Sequence, residues 1–461
     1  MLMVSFWVYD VGFLVLFSLF VVWFLSSRRK ALSRQGIVFM YRTQFGVDAI
    51  KYVGDNFKKF LYGLRYVIIG IGLVLMGIMI WMLGETVSIY LLYPEITKVI
   101  KAPPIAPLIP YFPKLFGMES FFPPFYFTYF VVALAVVAIV HEFSHGIFMK
   151  LFNVKIKSTG LIFLGPILGA FVEQEDKSFH KKKNSEQMTI LGAGVFANLI
   201  IALIFYGLYV GFFFSSFVAS GYIFDSYALA VVPLDSIDGF GRQGNLTSVL
   251  TTNGTFYLDD NLAMQINNSD NGYLIAYSDA PAVLVGLRGA IIMADDVTIG
   301  ERDDLRAFLE SKEPGDDVVF TTEDDEGIRN YDIVLGENPG FPGIAYLGVG
   351  NSAVSTDGVI RSILEKFMGF KEASTYYKPS WDGDFVYFIY HLLWWVMVIN
   401  LLVALFNMLP LGMLDGGRFF YLAILSVTNS KKVAKWAYRI VGYGILFVFL
   451  LLMFFWFVRI V

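Results

Sequence analysis

His141-Glu142-Phe143-Ser144-His145 places two histidines four residues apart with an acid beside the first. On a helix, residues at that spacing share a face, so both imidazoles can turn a nitrogen toward one ion while Glu142 handles a proton next to it. The chemistry this suits is zinc hydrolysis: the ion lowers the pKa of a water toward ~7, and Glu142 takes its proton as the water attacks a carbonyl. The same pattern arises by chance in soluble proteins. Here the chain has only 4 histidines, and two of them with a glutamate inside an apolar helix are costly unless paired or metal-bound. A catalytic zinc usually takes three protein ligands, and the chain has no cysteine, so the third must be His, Asp, Glu or Asn. The candidate is Asp415 in Asn407-Met-Leu-Pro-Leu-Gly-Met-Leu-Asp415-Gly-Gly-Arg418, where two glycines follow the carboxylate and allow close backbone approach. The competing reading is a helix-ending turn capped by an aspartate.

These residues need helices to hold them. More than half of the 461 residues are hydrophobic, 16% are charged, and the mean hydropathy is +0.62, which describes a polytopic membrane protein of helices rather than a β-barrel. Six stretches are long enough to cross a bilayer: Ser5 to Leu25, Tyr66 to Leu83, Tyr126 to Leu151, Met188 to Phe217, Val386 to Phe406, and Ala437 to Val458. The basic loops, Ser27 to Arg65, Lys155 to Lys183, and Lys431 to Arg439, are expected in the cytoplasm. That puts both termini and the acidic segment 219–384 outside, with its three sequons at Asn245, Asn253 and Asn267, and the candidate site toward the cytoplasmic side. The first span lacks a preceding basic segment and reads as retained, not as a cleaved signal.

Depth brings a further residue into range. His141 lies nine residues above Lys150, about 14 Å at ~1.5 Å each. Asn198, in Gly192-Ala-Gly-Val-Phe-Ala-Asn198, lies eleven residues from Gln187, about 17 Å from the same surface. Asn198 can therefore reach the site and donate its amide to an oxyanion, or else form an interhelical hydrogen bond with Gly192 and Gly194 as packing contacts. Ser158 to Val172 is apolar but broken by Gly160, Gly165, Pro166 and Gly169. It reads as a hairpin or re-entrant loop lining a cavity, or as a loop lying on the surface.

Taken in order, HEFSH, GAGVFAN and NMLPLGMLDGGR resemble the site-2 protease family of intramembrane metalloproteases. The resemblance implies one zinc per chain on His141, His145 and Asp415, catalysis by Glu142, Asn198 assisting the transition state, and hydrolysis of transmembrane protein substrates within or near the bilayer. Asp279 to Ala282, Gly286-Leu287, Thr298 to Gly300 and Pro314 to Asp316 resemble the PDZ domains that many relatives carry, whose groove takes an extended peptide, with Leu347 to Gly350 as a candidate edge strand. This chain has Gly289-Ala-Ile-Ile292 where such domains often read Gly-Asp-Ile-Ile, and Ala219 to Asn271 has no clear counterpart. Doubled acids such as Asp303-Asp304 lack an EF-hand spacing and read as a solvated face. The expected fold is thus an α-helical polytopic membrane protein with about six transmembrane helices and an inserted extracytoplasmic PDZ-like β/α domain. It divides into 1–93, two N-terminal helices and a basic loop; 94–218, the core with HExxH; 219–384, the PDZ-like insert; and 385–461, the LDGG helix and the last span. Its expected partners are membrane protein substrates, the lipid bilayer and a peptide at the insert, with no nucleic acid. A metal-ion transporter and an inactive peptide-binding scaffold are the rival classes.

Overall fold

Apolar runs longer than a bilayer is thick must close their backbone hydrogen bonds internally, and in the computed structural model they do so as helices. The structure describes residues 6–92, 103–104, 108–119, 121–244, 246–252, 254–259, 272–324, 326–351, 366–367 and 369–460. The sequon asparagines Asn245, Asn253 and Asn267 lie outside the described residues. The chain divides into two compact units, Met1–Phe212 with Tyr387–Val461, and Phe213–Val386.

The first unit contains α1 (Phe6–Ser27), β1 (Leu32–Gln35), β2 (Val38–Thr43), α2 (Val47–Asn56), α3 (Lys58–Leu92), α4 (Phe127–Leu151), β3 (Ile156–Leu164), β4 (Ile167–Gln174), α5 (Asp176–His180), all but the last turn of α6 (Asn184–Ser216), all but the first turn of α8 (Gly383–Asn407), α9 (Asp415–Thr428) and α10 (Lys431–Ile460). Six of these helices, α1, α3, α4, α6, α8 and α10, are long and apolar enough to cross a membrane. The second span is longer than its apolar stretch suggests. α3 begins at Lys58, because the polar turn ahead of Tyr66 continues the same helix.

α4 is anchored at its start by a charge from another helix. Asp10 of α1, 1% exposed, accepts the backbone N–H groups of Phe127 and Thr128 at 2.8 Å each, the Thr128 hydroxyl at 2.6 Å and the Tyr111 hydroxyl at 2.5 Å. A carboxylate on the open N–H groups of a first helical turn both satisfies them and meets the positive end of the helix dipole. Farther along α4, Gly146 lets Ile50 of α2 pack close, since a Cβ there would lie 2.6 Å from the Ile50 Cδ1.

The broken apolar stretch after α4 is a hairpin, β3 to β4, turned at Gly165 with φ +59°. It is extended by two strands from the N-terminal segment, giving the antiparallel order β1-β2-β3-β4. Gly160 is required where β2 and an aromatic ring close on β3: a Cβ would lie 2.2 Å from the Tyr41 carbonyl oxygen and 2.6 Å from the Phe171 ring. Among the described residues β4 ends the sheet, and its outer edge runs beside α4.

The second unit holds α7 (Arg302–Glu310) and strands β5 to β19. One sheet, β15-β14-β12-β5-β19, is built on β5 (Phe217–Tyr222), β12 (Ala290–Ala294), β14 (Asp317–Asp324), β15 (Gly327–Val334) and β19 (Thr375–Pro379), and buries Ile291, Phe320 and Ile333 with Leu305 and Phe308 of α7. α7 opens with a capping box in which Glu301 and Asp304 each accept the other's backbone N–H. The segment without a counterpart contributes most of a second sheet. Its order is β7-β11-β10-β9-β8, from β7 (Leu229–Pro233), β8 (Ile237–Gln243), β9 (Leu246–Thr251), β10 (Gly254–Leu258) and β11 (Tyr273–Tyr277), with its own core of Val232, Val249, Leu258, Leu274 and Ala276.

Candidate metal centre

His141 and His145 lie one turn apart on α4 and present their Nε2 atoms 3.0 Å from each other. Asp415, the first residue of α9, brings Oδ2 to 3.1 Å from His141 Nε2 and 3.2 Å from His145 Nε2. The carboxylate therefore begins a new helix and does not end the fifth span. The chain turns at Met408 to Leu414 to deliver it, and the two glycines make that turn fit. A Cβ on Gly416 would lie 2.3 Å from the Met408 carbonyl carbon, and one on Gly417 2.2 Å from the Leu411 oxygen. Arg418 pins the same turn from the other side: its guanidinium lies 4.7 Å from the Phe179 ring centroid, contacts His180 and donates to Gln187 Oε1 at 3.1 Å.

The donor set fits zinc. A tetrahedral ion with bonds of ~2.0–2.1 Å separates its ligands by about 3.3 Å, and the three donor atoms here stand 3.0 to 3.2 Å apart. Two nitrogens and one carboxylate oxygen leave a fourth position for water or substrate, as catalytic sites require.

The far nitrogens of both rings are held by α6. His145 Nδ1–H donates to the Ile190 carbonyl at 2.6 Å, and His141 Nδ1 lies 3.1 Å from the Asn198 side-chain amide. Gly194, midway between them, leaves the hollow into which both rings pack. Glu142 points to the other side, where its Oε2 accepts the Val172 backbone N–H of β4 at 3.0 Å. A cavity of about 420 Å³ opens onto this group and is lined by His141, Glu142, His145 and Asp415 together with Ala170 and Asn407.

The structure thus assembles His141, Glu142, His145 and Asp415 around one cavity and sets Asn198 behind it, fully buried. Ile190 and Val172 act through backbone groups that any residue carries, so the sequence does not mark them. Asn407, which lines the cavity, and Arg418, which holds the turn, stand at the two ends of the stretch that carries Asp415. Their signal was polarity within an apolar stretch.

A segment of 74 residues is 47% identical to an uncharacterized protein of Methanocaldococcus jannaschii, covering 16% of this chain and 20% of that protein's length. The model of peptidase family M50 matches residues 129–452, a stretch that begins within α4 and includes every residue of the centre. The chain belongs to peptidase family M50, the site-2 protease family of metalloproteases.

Proposed function

We propose that this protein is an intramembrane zinc endopeptidase that cuts transmembrane protein substrates within or near the bilayer. The observation that carries the reading is the convergence of His141, His145 and Asp415 beside Glu142 in a cavity bordered by helices long and apolar enough to cross a membrane. His141, His145 and Asp415 would hold the zinc, which would supply Lewis acidity for a peptide carbonyl and for the attacking water. Glu142 accepts the proton of the attacking water on its carboxylate and passes it to the departing amide nitrogen, so that one peptide bond becomes a carboxylic acid and an amine.

A substrate helix must lose its own hydrogen bonds before a peptide bond can be attacked. The outer edge of β4, which pairs with no strand among the described residues, offers replacements. Val172 directs its N–H away from β3, and Ala170, two residues back, presents its backbone on the same edge. An extended substrate segment pairing there takes the Val172 N–H and releases the Glu142 oxygen for water.

The basic loops support a site facing the cytoplasm, with both termini and 219–384 on the outer side of a cell membrane. In the second unit a groove of about 410 Å³ runs between α7 and residues 345–349, lined by Leu305, Leu309, Ile344 and Leu347 with Arg302 and Arg306 at hand. With the PDZ resemblance, this supports a peptide clamp or size filter acting on the outer part of a substrate.

The test is Glu142→Gln in the full-length protein. The variant should keep about one zinc per chain, and cleavage of a transmembrane substrate should fall by about 10²–10⁴, with the uncut fragment accumulating in membranes. Cleavage at the normal rate would sink the assignment of the base, and absence of zinc from the wild type would sink the reading itself.

A further inference from the structure

We infer that Asn198 serves the metal centre as a positioning residue, accepting the Nδ1–H of His141 and thereby fixing which nitrogen of that ring faces the ion. The inference rests on the zinc endopeptidase reading and assigns Asn198 a place other than at the reacting carbonyl.

The first support is the pattern on α6. Ile190, Gly194 and Asn198 follow one another at intervals of four and share a face of that helix. All three meet the histidines. The Ile190 carbonyl takes the His145 Nδ1–H at 2.6 Å. A Cβ on Gly194 would lie 2.6 Å from His145 Nε2 and 2.8 Å from His141 Nδ1. The Asn198 amide lies 3.1 Å from His141 Nδ1. One helix face therefore holds both rings from behind, by a carbonyl for one and an amide side chain for the other.

The second support is the proton on the ring. His141 directs Nε2 at Asp415 and His145. A neutral imidazole that offers a lone pair at Nε2 carries its hydrogen at Nδ1, so whatever faces Nδ1 must accept. The two ends of an amide have the same shape, and turning Asn198 over sets Oδ1 against that hydrogen. As placed, Oδ1 is buried with no hydrogen-bond partner among the described residues. Turning the group exchanges one unpartnered end for the other, so the orientation is decided by the proton of His141.

The third support is access. Asn198 is 0% exposed and is absent from the cavity lining, where the amide side chains are those of Gln174 and Asn407. An oxyanion donor has to stand within about 3 Å of the developing charge, and Asn198 stands behind His141.

The two roles separate in one experiment on the full-length protein in detergent. Zinc affinity is measured by competition with a chelating indicator, alongside kcat at saturating zinc, for the wild type, Asn198→Ala and Asn198→Asp. A positioning role predicts that alanine weakens zinc binding by about 10–100-fold, that aspartate, an acceptor of nearly the same shape, restores most of the affinity, and that the absorption spectrum of the cobalt-substituted alanine variant shifts with the altered ligand. An oxyanion role predicts wild-type zinc affinity in both variants, with kcat lower by about 10²–10³. That second result would overturn the inference, as would an aspartate variant that binds zinc as weakly as alanine. A wild type that binds no zinc overturns the functional reading, whereas wild-type affinity in Asn198→Ala overturns only this step.

Discussion

Gly194→Ala adds a single methyl group at the point where α6 meets both histidine rings of the candidate centre. Its Cβ would lie 2.6 Å from His145 Nε2, 2.7 Å from His141 Cε1 and 2.8 Å from His141 Nδ1, against an ordinary contact of 3.4–4 Å. The rings must withdraw by roughly 0.6–0.8 Å, several times the ~0.2 Å tolerance of a metal–ligand bond. Overpacking of this kind costs about 1–3 kcal/mol, and ~1.4 kcal/mol is tenfold in an equilibrium constant. Zinc affinity should therefore fall by about 5- to 150-fold. The same helix supplies the control. Gly207 has nothing within 4 Å of its Cβ position, so Gly207→Ala should keep its zinc. Both substitutions raise helix propensity by up to ~1 kcal/mol, which removes a general weakening of α6 as an explanation. Chelator competition on the two variants measures the difference. If Gly194→Ala and Gly207→Ala bind zinc alike, the close packing of α6 on the histidines plays no part in holding the metal.

Two further perturbations test the frame around the site. Asp10→Ala leaves the Phe127 and Thr128 N–H groups and the Tyr111 hydroxyl without their buried acceptor, which should cost about 2 kcal/mol of thermal stability at roughly 1 kcal/mol or less for each bond. Activity per folded molecule should persist, because His141 lies 14 residues farther along α4, about 21 Å away; an unchanged melting temperature would show that the cap is idle. In the second unit, the Lys312 ammonium at 2.8 Å, and after it the Val319 N–H, hold the Asp295 carboxyl below its usual range. A depressed carboxylate stabilises the fold above its unfolded pKa of ~3.9 and loses that contribution as the pH falls through the lower folded value. Asp295→Asn should thus be less stable than the wild type at pH 7, with the gap closing below about pH 4. Hydrogen exchange at the Val319 amide follows this, and a gap independent of pH would contradict it.

What could be read from the sequence was whatever repeats locally. The spacing of His141, Glu142 and His145 carries its own geometry, because four residues make one helical turn wherever the helix lies. The rise per residue likewise sets Asn198 at the level of the site from its position in the chain alone. Rise gives height alone. Which way Asn198 faces depends on the rotation of α6 against α4, and this is visible only once Gly194 is recognised as the hollow that admits two rings.

The sheet was harder to foresee, because β3 needs Leu32 to Thr43 from more than a hundred residues away, and hydrogen bonds between strands leave no mark on residue type. The same holds for Val172 and Ile190, which enter through a backbone N–H and a backbone carbonyl. A sequence therefore shows the side chains that converge on the candidate metal centre and hides most of the groups that aim them. The exception is glycine. Where a backbone or ring must approach more closely than a Cβ allows, only glycine serves, so Gly160, Gly194, Gly416 and Gly417 are where the sequence records the packing that orients the centre.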